Sequence, residues 1–345
     1  MKTEHPFSAF IFSLTFVHIM PVSMLMLVRY LREITHNKPW LQLFLFATIT
    51  LLSLMLGSAA GYLIPLITDG ATNVSLALEF LSAPEKMTDA ASQPDGLVRI
   101  LAITQISAQI GLFIMPPLVF AMLIYGQRFH KGLGLDATPG AFSILLVIPL
   151  TFMVLPMVSW LHQLNMQVPI TETMELSEQR AELFITLFLK DDTWKRLVLN
   201  LFMIALLPAI GEELFFRGIL QKYLAKGLKN VHLAVFVTAI LFSLLHFQFH
   251  GFLPRVFLGV LFGYLFVWTG NLWLPIIAHF VNNGAAVVVE FLGQRGLMEG
   301  GYQEFGKETG TGALALSIAV TFTICLALYY HHLKNRIHPP MNPSD

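Results

Sequence analysis

Charge is scarce in this chain. Asp, Glu, Lys and Arg together make up 12% of its 345 residues, while hydrophobic types reach 55%. An ordinary soluble domain carries about 25% charged residues, so the composition points away from a water-soluble globule. What charge there is cancels, 21 basic residues against 21 acidic, leaving no basic field to hold a nucleic-acid backbone. Nucleic acid drops out as a partner. Cysteine is nearly missing: Cys325 alone cannot close an intrachain disulfide or supply a CxxC pair for structural zinc or redox chemistry. Three hydrolase signatures are absent as well, since the sequence has no HExxH, no GxSxG and no pair of aspartates inside an apolar segment. It shows no transporter-type internal repeat and no low-complexity stretch.

What the chain has instead is apolar length. About 20 residues at 1.5 Å rise span the ~30 Å hydrocarbon core of a bilayer. Nine stretches qualify as candidates: 8–28, 41–66, 100–125, 141–161, 197–216, 231–249, 256–269, 272–289 and 312–331, of which the seventh is short and the fifth carries charge. The first follows the acidic Glu4 and runs into Arg29 and Arg32 without a small-x-small cleavage site, so it is read as a retained helix and not as a signal peptide. The runs are continuous, not alternating, which favours helices over a β-barrel. The expected fold is therefore an all-α, polytopic transmembrane helix bundle of about 8–9 spans.

Lys and Arg are densest in the connections 29–40, 126–140 and 217–230 and in the tail from 332. These segments fall on one side, and the positive-inside rule places them, with the carboxyl terminus, in the cytoplasm. The bacterial cytoplasmic membrane is the expected location. The opposite side holds the long connections 67–99 and 163–196. The second includes an acidic amphipathic stretch from Glu172 to Lys190, with Glu172, Glu175, Glu178 and Glu182 at helical spacing; it reads as an interfacial helix packed on the bundle, or as a substrate gate.

Nearly all the acids lie in connections or at span edges, but Glu212 and Glu213 sit inside LFMIALLPAIGEELFFRGIL. An ionised group near the bilayer centre costs about 2.5–3.5 kcal/mol, so such residues are paired, face a protein interior and serve function. Glu213 and Arg217 are four apart on one helical face, where they form an ion pair. Glu212 lies about 100° around the helix and needs another partner. Candidates follow in later apolar segments: His246, shielded by Phe242 one turn earlier, and His279, which shares a face with Asn283. A carboxylate near a histidine in a cavity of low dielectric suits the deprotonation of water. A neutral histidine and an asparagine amide can both donate to a developing oxyanion. One carboxylate and two histidines equally form a three-ligand zinc set, Glu212, His246 and His279, with a position left open for water. The residues alone leave both chemistries open. A third use of the same groups is a titratable path through a proton-coupled transporter.

In order along the chain these residues spell EExxxR (Glu212, Glu213, Arg217), FxxxH (Phe242, His246) and HxxxN (His279, Asn283). The trio resembles the motifs of the CPBP intramembrane proteases, a family that includes the eukaryotic Ras-converting CAAX protease, lysostaphin-resistance proteins and bacteriocin self-immunity proteins. The surrounding PAIGEELFFRGIL and TGNLWLPIIAH are similar to it too, so the resemblance covers roughly 195–292 and leaves the first ~190 residues without a motif. It implies a division into N-terminal helices with outer loops and the amphipathic segment (1–190), a protease core (191–292), and a last helix with its tail (293–345). It implies an intramembrane endopeptidase acting on a peptide or membrane-protein substrate in the lipid bilayer. Glu212 and His246 would activate water, His279 and Asn283 would form the oxyanion hole, and Glu213 and Arg217 would stabilise the site. The family has been described both as glutamate-dependent and as metalloproteases. The glutamate-dependent mechanism, needing no cofactor, is the preferred expectation, because the two histidines lack the close i, i+4 spacing of a helical zinc pair; Zn2+ is the alternative. A non-catalytic immunity or scaffold protein on the same fold is the remaining reading.

Overall fold

A computed structural model describes residues 22–82, 95–189, 192–298 and 310–337. Among these residues every regular element is helical. In chain order the helical runs are α1 (Val22–Thr35), α2 (Pro39–Asp69), α3 (Ala71–Ser82), α4 (Gly96–Leu133), α5 (Ala141–Met166) and α6 (Glu172–Leu189). They continue as α7 (Trp194–Leu228), α8 (Val231–Leu244), α9 (Phe252–Thr269), α10 (Trp273–Gln294) and α11 (Thr311–Leu333). Seven of them, α2, α4, α5, α7, α9, α10 and α11, are long and apolar enough to cross a membrane, and α8 is a shorter apolar helix. Together they overlap every expected span from 41–66 onward. The expected first span, 8–28, lies mostly outside the described residues. The span expected to be short reaches 18 residues, because it begins at Phe252 and its Pro254 falls in the first turn, where a missing N–H breaks no helical hydrogen bond.

The polarity of the bundle is inverted relative to a soluble protein. Phe44, Met55 and Leu145 on its outside are each about 70% exposed, whereas Glu213 and Arg217 are fully buried at its centre. An apolar exterior around buried charge is what lipid requires. The chain is an integral membrane protein.

Helix α7 is the central rod, with more than half of its most apolar stretch buried. Leu214, Phe215, Phe216 and Ile219 pack against Phe46 of α2, Phe120 of α4, Phe242 of α8 and Ile276 of α10. Its backbone is irregular. Widened π-helical turns at Leu201–Leu206 and Leu214–Gln221 flank the α-helical segment Leu207–Glu213. Pro208 supplies one cause: it has no N–H for the carbonyl of Ile204, and its ring crowds that turn.

Helices α8 and α9 form an antiparallel pair against α7. Gly259 and Gly263, four apart in the sequence, allow the close approach their spacing suggested. A Cβ at Gly259 would lie 2.9 Å from that of Ala239, and one at Gly263 would lie 2.8 Å from Oε1 of Gln221. The bare backbone is also used chemically, as Arg217 donates to the Gly259 carbonyl at 2.8 Å and Gln221 to the Gly263 carbonyl at 3.2 Å. Gly270, at φ 65°, ends α9 by donating its N–H to Phe266, and Leu272 then starts the turn into α10.

Candidate active site

The centre of the site is built on α7. Glu213 and Arg217 face one side, and their ion pair closes at 2.7 Å between Oε1 and Nη1. The guanidinium is clamped further by the Gly259 carbonyl and lies between the rings of Phe242 and Phe262, 5.1 and 5.6 Å from their centroids. Cation–π contact supplements the ion pair where water is excluded. Phe242, expected as a shield for His246, thus also covers Arg217.

The same oxygen of Glu213 takes a second donor. His279, from α10, gives its Nδ1–H to Glu213 Oε1 at 2.9 Å, and its ring stacks on Phe262 at 5.4 Å. A carboxylate only accepts, so Nδ1 is the donor of this bond, and Nε2 presents a lone pair whenever the ring carries a single proton. That Nε2 lies 3.9 Å from Oε2 of Glu212. His279 is therefore the histidine beside Glu212, without a hydrogen bond to it. Oε2 of Glu212 is buried and has no hydrogen-bond partner within the protein, an arrangement that is costly unless it serves chemistry.

His246 is arranged by the same logic. Its Nδ1–H goes to the carbonyl of Phe242 at 2.8 Å, so its Nε2 is likewise a lone pair. It has no hydrogen bond or ion pair with Glu212, and instead shares with His279 the wall of a cavity of about 80 Å³. Phe242, Leu258 and Phe262 form the apolar part of that wall; Arg255, Asn282 and Asn283 complete the polar part. Asn283 donates to the carbonyl of Ile204 at 3.3 Å, the group whose α-helical partner is missing because residue 208 is proline. Asn282 donates to Oδ1 of Asn283 at 3.2 Å.

Of the seven expected residues, Phe242, His246, His279 and Asn283 line one cavity; Glu213 and Arg217 adjoin it through His279 and Phe242, and Glu212 lies beside His279 without lining it. Sequence reasoning missed Arg255 and passed over Asn282. Arg255 carried a signal, being the one Lys, Arg, Asp or Glu within 252–269. Asn282 carried none, because its side chain reaches the cavity without repeating the face of His279.

Residues 194–285 match the family described as type II CAAX prenyl endopeptidase Rce1-like. The chain is 32% identical over 91 residues to uncharacterized protein YpbD of Bacillus subtilis, a match covering 25% of this chain and 43% of that protein. It is 29% identical over 109 residues to the membrane-embedded CAAX protease MroQ of Staphylococcus aureus, covering 30% of this chain and 44% of the relative. The chain thus spans less than half the length of these relatives. No solved structure matches it.

The matching segment, 194–285, contains the whole constellation apart from the groups that α4 and α5 pack around it. Its donor types suit a metal ion, since two imidazoles with oriented Nδ1–H groups offer free Nε2 lone pairs. Its geometry does not, because among the described residues no three His, Cys, Asp or Glu side chains converge closely enough to hold one. What the Rce1-like arrangement does offer is a buried carboxylate, two acceptor nitrogens and three nitrogen-donor side chains beside one small cavity.

Proposed function

We propose that the chain is an intramembrane endopeptidase that hydrolyses peptide bonds of membrane-associated substrates by a glutamate-dependent mechanism. The observation that carries this reading is the buried Glu212 carboxylate. It lies in an apolar helix long enough to span a membrane and 3.9 Å from Nε2 of His279, one of two histidines that wall the cavity with two asparagines. The Rce1-like match over residues 194–285 supports it.

In the proposed reaction a water molecule enters the cavity and Glu212 accepts one of its protons as general base. The Nε2 lone pair of His246 accepts a hydrogen bond from the same water and turns it towards the substrate. The water oxygen attacks the peptide carbonyl carbon, and the carbonyl electron pair moves onto oxygen. Asn283 has one amide hydrogen beyond the bond to Ile204 to donate to that oxyanion, and His279 donates from Nε2 when its ring carries both protons. Collapse of the intermediate breaks the C–N bond, and Glu212 returns its proton to the leaving amine. Glu213 and Arg217 hold His279 and the helix without touching substrate. The basic segments are proposed to face the cytoplasm; Lys222 donates to the carbonyl of Gly132 at 2.6 Å, so two of them meet at one end of the bundle.

The test is cleavage of a peptide library by the full-length protein in detergent micelles. The wild type is expected to cut, and Glu212→Gln to lose at least about 100-fold in rate while retaining its helical content. Equal cleavage by the two proteins rejects the mechanism.

A further inference from the structure

The half of the chain without motifs also reaches the site. His246 sits in the turn between α8 and α9, and the next residue, Phe247, has φ 51°, a left-handed conformation that is uncommon for a bulky side chain. Such a conformation persists only where the surroundings impose it. Ser243 restrains the turn by donating to the Phe252 carbonyl at 2.9 Å and Arg255 by donating to Gln248, and further restraints come from α5 and α6. Asn165, at the end of α5, is buried at 4% exposure. Its Nδ2–H goes to the carbonyl of Phe249 at 2.7 Å, and its Oδ1 receives the N–H of Leu253, also at 2.7 Å. One turn earlier His162 donates Nδ1–H to the carbonyl of His250 at 3.0 Å. From α6, Glu178 accepts the N–H of His250 at 2.8 Å.

Of the contacts from α5 and α6, Asn165 is the one that joins two backbone groups of the turn, those of Phe249 and Leu253. It meets a carbonyl on one strand of it and an N–H four residues further on, which requires a side chain that both donates and accepts at short reach. Aspartate lacks the donor, serine lacks the length, and an apolar residue lacks both. The turn so held carries the imidazole whose Nε2 faces the cavity.

We propose that Asn165 is a positioning residue of the site: it acts through the 246–253 turn to hold His246 against the cavity, with Glu178 as a second restraint from α6. This assigns a role in the reaction to α5, outside the segment that matches the Rce1-like family. The catalytic half of the claim rests on the proteolytic reading above; the structural half does not.

The experiment compares wild type, Asn165→Ala and Asn165→Asp as full-length proteins in detergent micelles. Hydrogen exchange is followed in peptides covering 244–254 and, as reference, 207–217. Steady-state cleavage is measured on a peptide the wild type cuts. Asn165→Ala is expected to speed exchange in 244–254 alone and to lower kcat by about 10–100-fold, the scale on which small misplacements act, with KM within about twofold. Asn165→Asp, which keeps the acceptor for Leu253, should fall between. Unchanged exchange in 244–254 overturns the restraint. Faster exchange with kcat intact overturns the positioning role, and so does a loss that follows the unfolded fraction with exchange rising in both segments. A wild type that cuts no peptide counts against the proteolytic reading, and the exchange result then decides by itself whether Asn165 holds the turn.

Discussion

One carboxylate oxygen joins the two charged groups that organise the site. Oε1 of Glu213 receives both Arg217 and His279, at 2.7 and 2.9 Å, so Glu213 balances a buried cation and orients an imidazole at the same time. Removing one member of a buried ion pair leaves the other uncompensated at a cost of about 3–5 kcal/mol. Glu213→Gln is therefore expected to lower the melting temperature strongly, and Glu213→Gln combined with Arg217→Met to recover part of the loss. An unchanged melt for the single variant would contradict the pairing. Glu212 differs in kind, since its charge is not one half of a tight pair. Among these residues, the bond between Glu213 and Arg217 was legible because both lie on one helix at i, i+4. The bond between Glu213 and His279 was not, since it joins positions 66 apart and no local spacing encodes it. The contact of Asn283 with Ile204 lies between these cases: Pro208 announces an orphaned carbonyl at Ile204, but only the packing of α10 on α7 shows which side chain answers it.

At the scale of elements, the site depends on helices whose surfaces come very close. Gly259 touches Ala239 on α8 and offers its carbonyl to Arg217, so one added carbon presses on Ala239 beside the backbone that holds Arg217. Gly259→Ala is expected to cost about 1–3 kcal/mol through overpacking, read from thermal or denaturant unfolding. Gly284→Ala is the matched control. Its Cβ would meet Leu201 at 3.7 Å, an ordinary contact, and its stability should stay within about 0.5 kcal/mol of wild type. Equal losses at both sites would show that the α8–α9 approach is not tight. Hydropathy located the helices well, and GxxxG spacing located the crossing, because both are periodic properties of short windows. The widened turns of α7 escaped it. They arise from Pro208 together with packing on neighbouring helices, and the composition of the window is the same with or without them.

Across the whole molecule, the question that composition left open is how water is activated. The donors include the carboxylate and imidazole types that a zinc site uses, yet among the described residues they do not close around one point. The expected outcome is that protein stripped with a chelator, and shown by elemental analysis to hold no metal, cleaves its peptide at the untreated rate. Loss of activity that is restored by stoichiometric zinc would overturn the glutamate-dependent reading and imply that the helices close further than they do here. The inverted polarity of the bundle has a further consequence for biogenesis. Helix α7 brings Glu212, Glu213 and Arg217 into the bilayer, and on a lone helix each ionised group would oppose partition by about 2.5–3.5 kcal/mol. Pairing within the helix relieves Glu213 and Arg217 only in part, because the carbonyl and the two rings that complete the cradle belong to α8 and α9. The translocation machinery must then retain α7 at its lateral gate until the following hairpin emerges, and release the three segments to lipid as one unit.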